Sequence, residues 1–345
     1  MIYIENNSNN PYFNLAFEEY CLGNLKSDDT YFLLWRNAPA VIFGKNQDVF
    51  QEVDFRYAKE HGIYLVRRIT GGGAVYHDLG NLNISIMGNY ELHPDYAQEY
   101  GSAVTEALRK IGLNGVVMNG RNDFYVEDRK ISGWAKRIQG NSFLLHGTLL
   151  YDVDLDQLER VLQTQDSKMQ RKAVKSVRSV VRNICDLVPF ENLDGLRNAL
   201  ELEMRGTDEV IRLSENELKD IHGLVDGKYR TDQWIYNLSF TPSVSQGFKK
   251  ACGYIVVNVL LEGESAFQSD SDVRTDGNKT IAAIEFKGDF LGNKDTEELC
   301  SLLKGAVWNE EGIRDVLSSA QVEEFFTGLS NEEFLAMLGS LMEKI

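Results

Sequence analysis

Short apolar runs separated by polar turns fill the first 150 positions. Tyr31–Arg36 and Ala40–Gly44 flank Asn37-Ala38-Pro39, a turn signal. Gly62–Arg68, Asn83–Met87, Gly115–Asn119, Phe124–Val126, Lys130–Lys136 and Phe143–Val153 have the same extended character. An early helix interrupts them: Phe13, Ala16, Phe17, Tyr20 and Cys21 recur at helical spacing, with Asn10 placed to cap and Pro11 in the first turn. A second helix is expected from about Tyr96 to Ile111. Strands and helices mix without regular alternation, which predicts an α+β fold.

From Leu155 to about Ile221 the pattern turns mostly helical, and Asp226–Ser239 reads as aromatic-rich and extended. Thr241-Pro242-Ser243-Val244-Ser245-Gln246-Gly247 has the composition of a linker, which divides the chain into domains at 1–243 and 247–345. In the second part Gly253–Leu261 and Thr280–Phe286 read as strands. Amphipathic helices follow at about Thr296–Val307, Glu311–Ser318 and Asn331–Lys344. No internal repeat is present.

Composition narrows the function classes. With 43% hydrophobic and 26% charged residues, the chain has enough apolar side chain to bury a large core. Its 36 basic and 52 acidic residues give a net charge of −16, opposite in sign to what duplex nucleic acid recruits, so no nucleic-acid partner is expected. Apolar runs such as Tyr254–Leu261 fall well short of the roughly 18 residues of a membrane span. The start, Met1–Asn10, lacks a basic residue followed by an apolar stretch, so no signal peptide is expected and the cytoplasm is the default location. Cys21, Cys185, Cys252 and Cys300 lie far apart with no CxxC pair, which predicts buried free thiols rather than a metal or redox motif.

Four segments carry candidate chemistry. In Arg67-Arg68-Ile69-Thr70-Gly71-Gly72-Gly73-Ala74-Val75-Tyr76-His77-Asp78, a strand ends on two arginines and enters three glycines. Residues without Cβ let backbone N–H groups approach an anion, and the arginine fork pairs with phosphate oxygens. The order differs from both the Walker A and the GxGxxG patterns. Around Arg121-Asn122-Asp123, Lys130 can neutralise charge that builds on phosphate and carbonyl oxygens, and Asp123 is an oxygen ligand of the kind magnesium accepts. His146 interrupts an apolar strand, a place where a hydrogen-bonded core histidine is the commoner outcome. Lys168, Arg171, Lys172 and Lys175 fall at i, i+3, i+4 and i+7 with no acidic residue between Asp166 and Asp186, a basic face suited to an acidic partner or to solvent.

Together these segments resemble the lipoate–protein ligase family, within the wider biotin/lipoate ligase group. The matching stretches are Arg67–Asn81, Arg121–Asp123 with Arg129–Gly133, His146–Leu150 and Ser176–Ser179, preceded by Asn10–Glu19 and Leu34–Asn37. The likeness covers most of residues 1–240 and, more weakly, the C-terminal part. It implies a large N-terminal mixed-sheet domain of the biotin/lipoate-ligase kind with a small α+β accessory domain. It also implies ATP-dependent activation of lipoate to lipoyl-AMP, with transfer to a lysine of a lipoyl domain of a 2-oxoacid dehydrogenase or of glycine-cleavage H protein.

By position, the resemblance assigns Lys130 as the catalytic residue bridging the α-phosphate and the lipoyl carbonyl oxygen. Arg68 would hold the phosphate region, and the backbone of Gly73, Ala74, Val75 and Tyr76 would contact the nucleotide. His77, Asn81, Asn122 and Asp123 would touch the nucleotide or support residues that do, with Asp123 on Mg2+. Trp35, Val75 and His146 would line the lipoyl pocket, an apolar slot that gains roughly 0.8 kcal/mol per buried CH₂. The alternatives are a lipoyl or octanoyl transferase working through a cysteine thioester, an enzyme using preformed acyl-AMP, a biotin ligase and a non-catalytic carrier-binding module. The first needs a thiol in the pocket, and none of the four cysteines lies beside the motifs.

Overall fold

The computed structural model describes residues 1–25, 28–47, 53–119, 123–162, 181–236, 242–262 and 279–344. Met1–Lys45, Val49–Thr70 and Ala74–Tyr236 form one compact unit, and Asn46–Asp48, Gly71–Gly73 and Asn237–Ile345 the other. The fold is α+β in both.

In chain order the first unit's strands are β1 Ile2–Ile4, β2 Tyr31–Trp35, β3 Ala40–Phe43, β4 Tyr64–Arg67, β5 Val75–His77, β6 Asn81–Asn89, β7 Val117–Met118, β8 Phe124–Val126, β9 Arg129–Ser132, β10 Trp134–Gln139, β11 Ser142–Leu150 and β12 Val210–Ile211. The main sheet has the order β10-β11-β6-β2-β1-β12, and β4-β3-β5 and β7-β8-β9 form two smaller sheets. Register aligns Leu33, Ser85 and His146 across β2, β6 and β11. The alternation along β6 therefore sets two faces. Leu82, Ile84 and Ile86 pack toward the helix Tyr96–Lys110, through Tyr96, Tyr100, Val104 and Leu108. Asn81, Asn83 and Ser85 point the other way and are also buried.

The first helix, Pro11–Asn24, starts as its sequence predicts: Asn10 accepts hydrogen bonds from the Tyr12 and Phe13 amides, and Pro11 occupies the first turn. Leu15, Ala16, Phe17, Cys21 and Leu22 join Leu33, Trp35, Ile42, Val66 and Leu144 in one core.

Three local readings change. Lys130–Lys136 is two strands, not one, because Gly133 breaks the run between β9 and β10. Of the segment Asp226–Ser239, expected to be extended, the described part is a π-helical turn, Val225–Tyr229, and a short helix, Asp232–Tyr236, while residues 237–239 lie outside the described residues. Tertiary contacts override its aromatic composition: Glu19 takes the Lys228 ammonium at 2.7 Å and the Tyr229 hydroxyl at 2.7 Å, and Lys228 sits 4.1 Å over the Trp234 ring. Val244 to Gly247, expected as linker, belongs to β13 (Val244–Lys250), where Val244, Gln246 and Phe248 face Val259, Val257 and Ile255.

In the second unit β13, β14 (Gly253–Leu261) and β15 (Ile281–Gly288) form an antiparallel sheet. Its apolar face packs on the helices Thr296–Leu303, Glu310–Leu317 and Asn331–Met342 around Phe286, Phe326 and Phe334. Within this unit the Gly72 amide donates to the Phe290 carbonyl at 3.1 Å. Among the described residues none of the four cysteines forms a disulfide. Cys21 and Cys252 are buried, whereas Cys185 and Cys300 are half-buried, less than the full burial expected of them.

Candidate active site

Arg67, which ends β4, and Arg68, which follows it, have different work. Arg67 is fully buried and clamps backbone: its guanidinium donates to the carbonyls of Gly44, Lys45, Trp234 and Ile235 at 2.7–3.0 Å. Arg68 turns inward instead. Its Nε donates to Thr70 Oγ1 at 2.9 Å, and one terminal nitrogen donates to the Ile42 carbonyl. Burial draws its pKa down to about 10, with Glu18 opposing and Arg67 reinforcing the shift, so it stays cationic at neutral pH.

Thr70 Oγ1 lies 2.7 Å from His146 Nε2, and His146 Nδ1 lies 2.8 and 2.9 Å from the two oxygens of Glu18. Ser85 also donates to Glu18, at 2.6 Å, and accepts from the Trp35 indole at 2.7 Å. Two hydrogen-bonded chains thus meet on one carboxylate, Arg68–Thr70–His146–Glu18 and Trp35–Ser85–Glu18. Every member is buried. The sequence reading assigned Arg68, Trp35 and His146 but not Glu18, Ser85 or Thr70. A signal was available: Asn14 and Glu18, at i and i+4, interrupt the apolar face of the first helix, and β6 alternates with Asn and Ser rather than charged residues.

His77 closes the same region. It ends β5, lies 4% exposed with its ring 6.4 Å from that of Trp35, and has Asn37 Nδ2 3.1 Å from its Nδ1. Burial, then the Arg68 and His146 charges, lower its pKa to about 3. Val75, two residues earlier on the same strand face, packs into the core that contains Trp35. Tyr76 points oppositely, into the core with Val41 and Val153, and its hydroxyl donates to Gln157 at 2.7 Å. Its side chain is therefore structural, and Ala74 packs on that same core. Asn81, fully buried, donates to Asn83 at 3.0 Å. Gly73 belongs to the second unit, and a Cβ there would meet open space. Asn122, and the basic run of Lys168 to Lys175, lie outside the described residues.

Lys130 and Asp123 come together as an ion pair of 2.8 Å with side chains 24% and 16% exposed. Glu127 and Asp128 take left-handed φ values of 50° and 61°, forming the two-residue turn that folds β9 back on β8. A Cβ on Gly133 would lie 3.1 Å from Lys130 Cε and Nζ, so the glycine leaves room for the lysine's path. Gly133 exchanges bonds with Thr148, two residues past His146, which ties the lysine segment to β11. Asp123 offers one hard carboxylate, enough for a cation whose other ligands are phosphates and water. No cluster of three or more His, Cys, Asp or Glu suited to a metal occurs among the described residues.

The chain is similar to several known proteins. Residues 10–204 match the profile of the lipoyl protein ligase A/B catalytic domain, and residues 274–338 match that of the bacterial lipoate protein ligase C-terminus. Lipoate-protein ligase LplJ of Bacillus subtilis is 32% identical over 98% of this chain and 100% of its own length. Lipoate–protein ligase 1 of Staphylococcus aureus is 33% identical over 96% of this chain and 98% of its own. Among solved structures, a bipartite lipoate protein ligase described with its E2 lipoyl domain, from Thermoplasma acidophilum, superposes with a TM-score of 0.61. It is 32% identical and covers 70% of this chain and 98% of its own. The chain belongs to the lipoyl protein ligase A/B family.

Proposed function

We propose that the chain is an ATP-dependent lipoate–protein ligase. In the first step a lipoate carboxylate oxygen attacks the α-phosphorus of ATP, and the bond to pyrophosphate breaks, leaving lipoyl-AMP. In the second, a lysine ε-amine attacks the acyl carbon, AMP departs with the bonding pair, and the amine loses its proton. Both transition states gather negative charge between the acyl oxygen and the α-phosphate, where a fixed cation gives most. Lys130 is that cation, and Asp123 holds it in place until the nucleotide arrives. Arg68, fixed by Thr70, serves the phosphate region. The Gly73–Tyr76 backbone contacts the nucleotide, Asn81 and Asn122 support it, and Trp35, Val75 and His146 enclose the lipoyl chain.

A Mg2+ carried by ATP would take Asp123 as its protein carboxylate and would neutralise phosphate charge. The acceptor is a lipoyl domain or glycine-cleavage H protein, attracted by Lys168, Arg171, Lys172 and Lys175, and the enzyme works in the cytoplasm. A thioester route has no support: burial raises the pKa of Cys21, Cys185 and Cys252, the reverse of what a nucleophile needs.

The observation that carries this reading is the half-buried Lys130–Asp123 pair, tied through Gly133 and Thr148 to the strand of His146. Purified chain, MgATP, lipoate and an apo lipoyl domain, followed by intact mass, should give a lipoylated acceptor and AMP. Lys130→Ala should abolish lipoate-dependent ATP–pyrophosphate exchange in a folded protein. Near-normal exchange there would remove the lysine from its role.

A further inference from the structure

We propose that Asn14 and Asn37 are positioning residues that hold the proton of His77 on Nε2, so that this N–H donates to the carboxylate of bound lipoate. The inference rests on the ligase reading above and deepens it.

The hydrogen-bond directions follow one from another. Asn14 Nδ2 faces two backbone carbonyls, those of Ser8 and Arg36, each at 3.0 Å. Only an amide nitrogen can donate to both, so the side chain has one orientation. Asn14 Oδ1 correspondingly accepts from Asn6 at 3.0 Å. Asn14 Nδ2 also reaches Asn37 at 2.8 Å, so the atom of Asn37 that faces it is the oxygen. Asn37 then presents its nitrogen to His77 Nδ1, 3.1 Å away. Nδ1 is therefore an acceptor, and the single proton of the neutral ring sits on Nε2. His146 is oriented the other way: its Nδ1–H donates to Glu18, while Thr70 Oγ1, which accepts from Arg68, lies at its Nε2.

His77 Nε2 is buried and has no hydrogen-bond partner among the described residues. A buried N–H without an acceptor is destabilising, and the Asn14–Asn37 pair prevents the ring from relieving it by changing tautomer. Burial beside Arg68 and His146 keeps the ring neutral well below neutral pH, so it offers a hydrogen bond and not a charge. An oxyanion is the acceptor that the Arg68 cation and an N–H together best recognise. The nearby Trp35 ring and Val75 favour the head of an apolar acid over a nucleotide phosphate.

The test uses the full chain labelled with 15N in its five histidines, with His77 assigned through His77→Gln. Nitrogen shifts should show His77 protonated on Nε2 and His146 on Nδ1. Lipoate alone should move the His77 Nε2–H resonance, and ATP alone should leave it in place. In Asn37→Asp, a carboxylate accepts from Nδ1. The proton should move there, the response to lipoate should vanish, and KM for lipoate should rise about ten- to a hundredfold while KM for ATP stays within about twofold. His77 protonated on Nδ1 in the unmodified chain overturns the proposal without any variant. So does a response to ATP alone, or none to lipoate in a chain that lipoylates its acceptor. Lack of both lipoate binding and acceptor lipoylation would overturn the ligase reading itself.

Discussion

Glu18 shows how much a single buried carboxylate organises. It is 1% exposed, and its two oxygens accept from His146 and Ser85, which in turn fix Thr70 and Trp35. Trp35 and Arg68, at the far ends of the two hydrogen-bonded chains, thus share one acceptor. Removing it in Glu18→Ala strands two buried donors, each worth about 1–3 kcal/mol when unpaired, so the urea midpoint should fall by an amount equivalent to roughly 3 kcal/mol. Glu18→Gln, which can satisfy only one of the two chains, should fall between. An unchanged midpoint in Glu18→Ala would mean that the chains do not depend on it. Individual residues were unevenly legible in the sequence. The Arg-Arg-x-x-Gly-Gly-Gly run, Lys130 and His146 stand out because charge and glycine are conspicuous. Glu18, Asn14 and Asn37 do not, since a polar residue on a helix or in a turn is ordinarily solvated, and only tertiary packing makes these three buried partners.

The elements explain why the site lies where it does. β6 and β11 run antiparallel through the middle of the main sheet, and their period of two puts Ser85 and His146 on the face covered by the first helix. Gly147 follows His146 and lies directly opposite Trp134 on β10. A Cβ on Gly147 would come within 2.4 Å of the indole ring, which is itself packed on Phe124 at 5.3 Å between centroids. Gly147→Ala should therefore overpack the strand pair, at a cost of about 1–3 kcal/mol, and lower the thermal midpoint. It should also raise KM for lipoate by displacing His146. A midpoint equal to the parent's would show that the indole can retreat. Helical spacing made the first helix readable, and apolar runs bounded by turn signals did the same for β2, β3, β6 and β11. The short strands β1, β5 and β12 escaped, because two or three residues outside a longer apolar run give little signal of their own. The helical turns at Val225–Tyr236 escaped because ion pairing with Glu19, not local propensity, decides them.

At the scale of the whole molecule, stability should record the neutral imidazole at the centre of the first unit. The folded pKa of His77 is about 3, against roughly 6.5 for an unfolded histidine. Above about 6.5 neither state carries the proton, and the residue adds no pH dependence. Between the two values the unfolded chain binds a proton that the folded chain refuses, so acid favours unfolding by about 1.4 kcal/mol per pH unit. Asp78 works in the opposite direction, because burial raises its pKa and the folded state then takes up a proton readily. Its contribution is common to parent and variant and cancels in a difference, as does the repulsion from the net charge of −16. His77→Gln keeps a polar amide in the site without a group that titrates. From pH 7 to pH 5 the parent should lose about 2 kcal/mol more unfolding free energy than His77→Gln, measured by urea titration at each pH. Equal losses would mean that the imidazole takes up its proton in the folded state. In that case it could not be the neutral donor that faces lipoate.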